Sequence, residues 1–126
     1  MIQEISAISA VINGGTYYQP HVVKEIKSQE DGSVLKTNEG NVLKQIVSSD
    51  VSEKIREYMG MSVTSGTSRK SKVQGYSMGG KTGTAEILST KEKDYLVSFI
   101  GFAPLDTPQV VVYVVVDRPN VEEQAD

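Results

Sequence analysis

The residues best suited to chemistry in this sequence are a cation, two hydroxyls and a glycine in direct succession: Lys81, Thr82, Gly83 and Thr84. Such a group suits the edge of a β-strand that holds an anionic, peptide-like ligand. Together with Gly75 and Gly80, the same residues complete the nucleotide-binding pattern G-x-x-x-x-G-K-T. These two interpretations predict different proteins, and the flanking residues separate them.

A phosphate-binding loop needs a buried strand leading in and a helix leading out, because loop amides and the helix N-terminus supply its positive field. Here residues 69–74 are polar and basic, and Gly83 stands where the first helical turn should begin. One feature favours a nucleotide: the apolar run 110–116 ends at Asp117, which could bind magnesium. A polar residue where a buried strand reaches solvent is the commoner explanation, so the nucleotide interpretation is disfavoured.

A strand edge explains the tetrad better. If residues 80–88 form an edge strand, their outward amides and carbonyls can pair with an extended peptide. Thr82 and Thr84 then point to the same side and can hydrogen-bond a carboxylate, whereas alternation sends Lys81 to the opposite side. The lysine stem must therefore curl around the edge for its charge to reach the same ligand. The glycines of the segment would let another backbone approach closely.

Composition bounds the class of protein. A length of 126 residues predicts one domain or a piece of one, and 13 Lys and Arg against 16 Asp and Glu give no footprint for nucleic acid. The absence of cysteine excludes disulfides and thiolate metal sites, and His21 is the single histidine, so we predict neither a metal nor a cofactor. No apolar stretch is long enough to span a bilayer, so any membrane anchor must lie outside these residues.

The hydrophobic pattern predicts an α+β fold, because segments with helical spacing of apolar residues alternate with β-branched runs. The predicted elements are helices at about 1–13 and 49–61, a hairpin at about 17–37, and a three-stranded antiparallel sheet at about 79–88, 94–103 and 109–117. Asp50 and Glu53 resemble a helix-capping pair, and residues 62–78 are polar enough to predict an exposed loop.

The last two strands are continuous apolar runs, which predicts that both of their faces are covered. The helical pattern begins at Met1 without a capping residue, and little follows the last strand that could cover the sheet. We therefore expect a domain that is incomplete at both ends. Because such a piece would expose apolar faces, we also expect it to associate with itself.

The segment Gly79 to Glu86 resembles the Lys-Thr-Gly box of penicillin-binding proteins, the acyl-serine D,D-transpeptidases. The helix that runs into Asn13-Gly14-Gly15 and Tyr17-x-x-Pro20 is similar to the segment before this box, and Ser98 to Pro104 is similar to the strand after it. The resemblance implies a β-lactamase/transpeptidase-like fold, with residues 1–126 as the C-terminal portion of the transpeptidase domain. The second threonine and the long preceding region resemble a transpeptidase more than a serine β-lactamase, and within the family the high-molecular-weight transpeptidases are the most similar class.

The resemblance also implies roles for the tetrad. Lys81, Thr82, Gly83 and Thr84 would form the substrate-binding segment. In it, Thr82 and Thr84 would bind the terminal carboxylate of a D-Ala-D-Ala stem peptide, or that of a β-lactam. Lys81 would add positive charge and support proton transfer, and the backbone amide of Thr84 would form half of an oxyanion hole. The parent would cross-link peptidoglycan while anchored in the bacterial cell membrane, with this domain on the extracytoplasmic side.

The sequence departs from the family pattern at the nucleophile. The family needs a serine with a lysine three residues later at the start of a helix, and the only such spacing is Ser33 to Lys36, directly after a turn signal. On a strand these two side chains face opposite ways, so we interpret them as a hairpin surface pair. The Ser-x-Asn motif is absent. We therefore predict that this piece is inactive without its partner, the upstream part of its own domain.

A non-enzymatic alternative remains open. The same strand edge would serve a standalone module that binds peptide carboxylates by strand addition. That alternative requires a complete fold within these residues.

Overall fold

The computed structural model describes residues 1–88 and 94–121 and has the predicted α+β architecture. Two α-helices are present in these ranges, α1 (Ile2–Ile12) and α2 (Ser49–Thr64), with a 3₁₀ turn at Arg69–Ser71. The strands are β1 (Thr16–Tyr18), β2 (Glu25–Lys27), β3 (Val34–Thr37), β4 (Val42–Gln45), β5 (Gly79–Ile87), β6 (Asp94–Ala103) and β7 (Val110–Asp117).

The main sheet has the order β5-β6-β7, with both pairs antiparallel, as predicted. Its register runs without a bulge, so that Thr82 lies opposite Phe99 and Phe99 lies opposite Val114. This order leaves β5 at one edge of the sheet within the ranges that the structure describes. The tetrad therefore lies on an edge strand.

The helices pack on one face of this sheet. Phe102, which is only 2% exposed, lies on that face, and the side chain of Leu105 fills the space between Gly60 of α2 and Gly79 of β5. Ile12 and Val63, from the two helices, are also buried. This layer forms the core of the described part of the chain and holds β5 against α2.

The opposite face of the sheet is open. Val112, Val114 and Val116 lie on it and are 57%, 51% and 47% exposed. The prediction that both faces of the last strands are covered is therefore wrong for the described residues, because a continuous apolar run does not show what covers each side. Self-association through this face remains a prediction.

The helix termini differ in part from the sequence expectations. Gly14 and Gly15 have φ of 98° and 96°, the left-handed region predicted for the end of α1. At the start of α2 the cap is Ser48, whose hydroxyl accepts from the Val51 amide. The predicted capping pair of Asp50 and Glu53 is wrong, because Asp50 already lies inside the first helical turn.

Helix α2 also continues three residues beyond its predicted end at 61. Gly60 does not terminate it, since the helix runs on to Thr64. A Cβ at Gly60 would lie 2.8 Å from Leu105 Cδ2, so the glycine makes room for that side chain. That glycine is a packing position, not a cap. Together with the 3₁₀ turn, the extension means that residues 62–78 are not a continuous exposed loop.

The hairpin is shorter than predicted. β2 and β3 pair over Glu25–Thr37 around the predicted turn, in which Gly32 has a φ of 71°. Thr16–Tyr18 does not belong to it and pairs instead with Val42–Gln45. A pairing across some 25 residues leaves no local turn signal, so the sequence pattern could not reveal it.

Within residues 1–88 and 94–121, neither α1 nor α2 combines the length and hydrophobicity that a membrane-spanning helix requires.

Candidate functional site

The tetrad is extended backbone. All four residues lie in β5, with Lys81 opposite Ile100 and Gly83 opposite Ser98, and no helix begins at Thr82. Asp117, the candidate magnesium ligand, instead forms an ion pair with Arg118 at 3.3 Å. The geometry that a phosphate-binding loop requires is absent from this segment, so the nucleotide interpretation is wrong.

The backbone of β5 turns alternate residues toward its outer edge. The Thr82 amide donates to Ser68 Oγ at 3.2 Å, so it points away from β6. Because successive residues of an antiparallel strand direct their backbone groups to opposite edges, residues two apart share an edge, and the Thr84 amide points the same way as that of Thr82. In the described ranges no strand pairs with this outer edge. The Thr84 amide therefore faces the side on which a ligand could lie.

Lys81 bends around this edge. Its ammonium Nζ donates to the Thr82 carbonyl oxygen at 2.7 Å, although its side chain starts on the face opposite to Thr82. The curled conformation that the ligand-binding interpretation requires is thus present. It places a positive charge at the same outer edge as the Thr84 amide.

The two threonine side chains share the open face of the sheet. Thr82 lies opposite Phe99 and Thr84 opposite Val97. A cavity of about 220 Å³ lies over this face, and its lining includes Thr82, Phe99 and Lys70. Lys70 belongs to the basic run 69–72, so a positively charged segment borders the face that carries the Thr82 hydroxyl.

The glycines before the tetrad have a different role from the one predicted. A Cβ on Gly80 would lie 2.5 Å from Phe99 Cζ, and one on Gly79 would lie 2.5 Å from Phe102 Cζ. The two rings pack on opposite faces of β5 in the space that the missing side chains leave. These glycines therefore admit aromatic rings of β6, not the backbone of a ligand. Gly83 differs, since among the described residues a Cβ there would meet only Ser98 Oγ within 4 Å.

Ser68 is a residue of this site that the sequence interpretation missed. It is fully buried, and its hydroxyl lies 2.9 Å from Ser62 Oγ in addition to accepting from Thr82. The segment around it is rich in serine and lysine, and nothing in its sequence distinguishes Ser68 from its neighbours. Only the fold shows that this serine touches the functional strand.

The Ser33 and Lys36 pair lies in the hairpin, as predicted. Ser33 Oγ donates to Asp31 Oδ1 at 2.8 Å, and Lys36 lies opposite Ile26 in β3. The hydrogen bond from the Ser33 hydroxyl, followed by that from the Ser33 amide, lowers the pKa of Asp31. This serine is engaged by a turn carboxylate and does not form a nucleophile-base pair with the lysine.

An antiparallel sheet whose edge strand carries Lys-Thr-Gly-Thr, packed on two helices, is the arrangement expected for the transpeptidase domain of penicillin-binding proteins. The family model described as the penicillin binding protein transpeptidase domain matches residues 1–126. The chain belongs to this family.

Known proteins with similar sequences agree with this assignment. Stage V sporulation protein D of Bacillus subtilis (strain 168) is 43% identical over 122 residues, which cover 94% of this chain and 19% of that protein. The probable peptidoglycan D,D-transpeptidase PenA of Neisseria flavescens is 38% identical over 82 residues, or 61% of this chain and 20% of that protein. The chain thus spans about a fifth of the length of these relatives.

Solved structures show the same fold. Penicillin-binding protein A from M. tuberculosis, solved as an imipenem acyl-enzyme complex, superimposes with a TM-score of 0.80 at 27% identity, covering 98% of this chain and 27% of that one. Penicillin-binding protein 2B from Streptococcus pneumoniae gives a TM-score of 0.85 at 20% identity, covering 98% of this chain and 22% of that one. The second likeness concerns the fold alone.

Proposed function

We propose that these residues are the C-terminal portion of a transpeptidase domain and form the substrate-binding wall of a peptidoglycan D,D-transpeptidase of the high-molecular-weight class. The whole protein would cross-link stem peptides through an acyl-serine intermediate. The observation that carries the proposal is the outer edge of β5, where the Lys81 ammonium lies 2.7 Å from the Thr82 carbonyl and the Thr84 amide faces the same side. Membership of the family supports it.

Each group of the edge has a part in this function. The hydroxyls of Thr82 and Thr84 bind the terminal carboxylate of D-Ala-D-Ala or of a β-lactam, and Lys81 adds the positive charge that attracts it. The Thr84 amide donates to the oxygen of the attacked carbonyl as negative charge develops there. Removing one donor of this kind costs about 3 kcal/mol of transition-state stabilisation. The acyl-enzyme formed by the M. tuberculosis protein with imipenem supports the β-lactam part of the proposal.

The nucleophile belongs to another part of the protein. Ser33 and Lys36 are the only Ser-x-x-Lys spacing in the chain, they lie in an exposed hairpin, and no Ser-x-Asn occurs. The proposed partner of this chain is therefore the remainder of its own domain, which supplies the serine and its base. Alone, the chain binds no β-lactam covalently. Anchoring of the whole protein in the cell membrane, with this domain on the extracytoplasmic side, completes the proposal.

The test is labelling by a fluorescent penicillin. The full-length protein should be labelled, and Thr82→Val and Thr84→Val should each slow labelling roughly tenfold or more, because each removes a hydrogen bond to a charged group. Thr37→Val, an exposed strand threonine in β3, is the matched control and should leave the rate unchanged. Covalent labelling of the 126 residues alone, or unchanged rates in both threonine variants, would refute the proposal.

The outer edge of β5, with which no strand pairs in residues 1–88 and 94–121, also suits a non-enzymatic module that binds peptide carboxylates by strand addition. The two functions differ in one measurement. Binding of a D-Ala-D-Ala peptide by the isolated chain, combined with no penicillin labelling of the full-length protein, would favour the module.

A further inference from the structure

Ser68 connects the end of α2 to the outer edge of β5. Its hydroxyl accepts from the Thr82 amide at 3.2 Å and lies 2.9 Å from Ser62 Oγ, while its own amide donates to the Ser62 carbonyl at 3.1 Å. Its side chain is fully buried. A buried hydroxyl with two hydrogen-bond partners is held in one orientation, since any other orientation would leave a buried polar group without a partner.

A tight chain reversal brings Ser68 to this place. The Gly66 amide donates to the carbonyls of Met61 and Ser62, each at 3.1 Å. A Cβ at Gly66 would lie 2.8 Å from Ser62 Cα, so only glycine lets the chain fold back this closely onto α2. The position of Ser68 is therefore set by the helix and not by the strand that it contacts.

The hydrogen bonds of Thr82 close the edge of β5 at that residue. Its amide is taken by Ser68 Oγ, and its carbonyl oxygen is taken by the Lys81 ammonium. An added strand would need both of these groups to pair at Thr82. The next outward-facing residue is Thr84, so the part of the edge that can accept a ligand strand begins there.

We propose that Ser68 is a positioning residue. It fixes the edge of β5 at Thr82, so that the Thr82 hydroxyl and the Thr84 amide face a ligand in one arrangement and an extended ligand pairs with the strand from Thr84 onward. Ser62 holds the Ser68 hydroxyl in place. The identity of the ligand, a peptide or β-lactam carboxylate, rests on the function proposed above, whereas the closure of the edge does not.

The closure is tested in the full-length protein by amide hydrogen exchange measured with NMR. In Ser68→Ala the Thr82 amide has no acceptor and should exchange at least about tenfold faster. Ser77→Ala, an exposed serine closer to β5 in the sequence, is the matched control and should leave Thr82 unchanged. Unchanged exchange of Thr82 in Ser68→Ala would overturn the proposal.

Ser62→Ala provides a second variant in case Ser68→Ala does not fold. It keeps the acceptor on Ser68 but removes the group that orients it, so exchange at Thr82 should rise by a smaller factor than in Ser68→Ala. No change at Thr82 in Ser62→Ala would contradict the proposed role of Ser62. If only this variant folds, the same result would overturn the positioning device as a whole.

The consequence for the ligand is tested in the full-length protein with benzylpenicillin and its methyl ester, in which the carboxylate is masked. Ser68→Ala should slow acylation by the acid roughly tenfold and acylation by the ester much less, because the threonines that Ser68 positions act on the carboxylate. Equal losses for the two compounds would show a merely structural role and overturn the positioning. If neither compound acylates the unmodified protein, the proposed function is refuted. The closure of the β5 edge at Thr82 is then judged by the hydrogen-exchange result alone.

Discussion

The β5–β6 pair and the β2–β3 hairpin are both antiparallel and both expose polar side chains to solvent, yet neighbouring residues support them in different ways. Phe99 and Phe102 pack on the two faces of β5, and Ser68 binds its outer edge. In contrast, every residue of β2 and β3 is exposed. The hairpin is held by its ladder and by turn hydrogen bonds, such as the Ser28 amide to the Ser33 carbonyl at 2.8 Å.

This difference bears on why the tetrad is proposed as a site and the Ser33 and Lys36 pair is not. A binding or catalytic arrangement must hold its groups to within about 0.5 Å, which requires neighbours that lock them. The strand that carries the tetrad has such neighbours on both faces, at Gly79 and Gly80, and along its outer edge, at Thr82. In the described residues the Ser33 and Lys36 pair is held by its own turn, and the two side chains are not brought together as a nucleophile and its base.

The largest expected contrast between the two regions is in core packing. Phe102→Ala should lower the free energy of unfolding by about 3–5 kcal/mol, since it empties the space between β6 and the helices. Leu35→Ala in the hairpin should change it by less than about 0.5 kcal/mol, because Leu35 is 67% exposed. Urea unfolding of the two variants beside the unmodified chain measures both values.

A comparable loss in the two variants would mean that the hairpin packs on something in solution, and the contrast drawn here would fail. Leu35→Ala is therefore both the control for Phe102→Ala and the direct test of the hairpin. The slope of the free energy against urea should stay the same, since a change would indicate an altered compactness of the unfolded chain.

A smaller effect separates the glycines within β5. Gly80→Ala should cost about 1–3 kcal/mol of unfolding free energy, because the new Cβ meets both the Phe99 ring and the Ile100 carbonyl. Gly83→Ala should be close to neutral: its Cβ meets only the rotatable Ser98 hydroxyl, and alanine loses less conformational freedom on folding. The same urea measurement applies. Equal losses at the two positions would contradict bracing of the strand by Phe99.

Sequence patterns predicted the elements whose signals are local. Periodicity gave both helices, continuous apolar runs gave β6 and β7 within a few residues, and the Asp31-Gly32 turn gave the hairpin. Pairing of β1 with β4 was missed because some 25 residues separate the partners. The prediction that both sheet faces are covered was also wrong, since a run of valines shows that a strand is hydrophobic but not which neighbours bury it.

For the candidate site, too, the sequence predicted what depends on local residues and missed what depends on distant ones. The types and spacing of residues 81–84 indicated an edge strand, and strand alternation required Lys81 to curl, as the structure has it. Ser68 could not be found, because its position depends on how α2 ends and on the reversal at Gly66. The role of Gly79 and Gly80 was misread for a related reason, since the aromatic rings that fill their space come from another strand.

The smallest predicted effect is an acid titration confined to the hairpin. The Ser33 hydroxyl and amide donate to Asp31 and hold its pKa below the ordinary value of 3.8. These bonds favour the ionised carboxylate, so their contribution to the hairpin is present above that value and is lost as the pH falls through the lowered pKa of the folded state. Ser33→Ala should move the pKa of Asp31 back toward 3.8 in a carboxyl NMR titration, with Ser77→Ala as the control.

If the pKa of Asp31 does not change in Ser33→Ala, the hydrogen bond from the Ser33 hydroxyl is not what lowers it, and the explanation of the hairpin by its own turn contacts fails. The amide signal of Thr82, followed in the same titration, is the control for the β5 edge. Its hydrogen bond to Ser68 joins two groups that carry no titratable acid, so it should not follow the Asp31 transition in either variant. A Thr82 signal that shifted together with Asp31 would show that the two regions are coupled, and that the edge of β5 is not positioned by α2 and β6 alone.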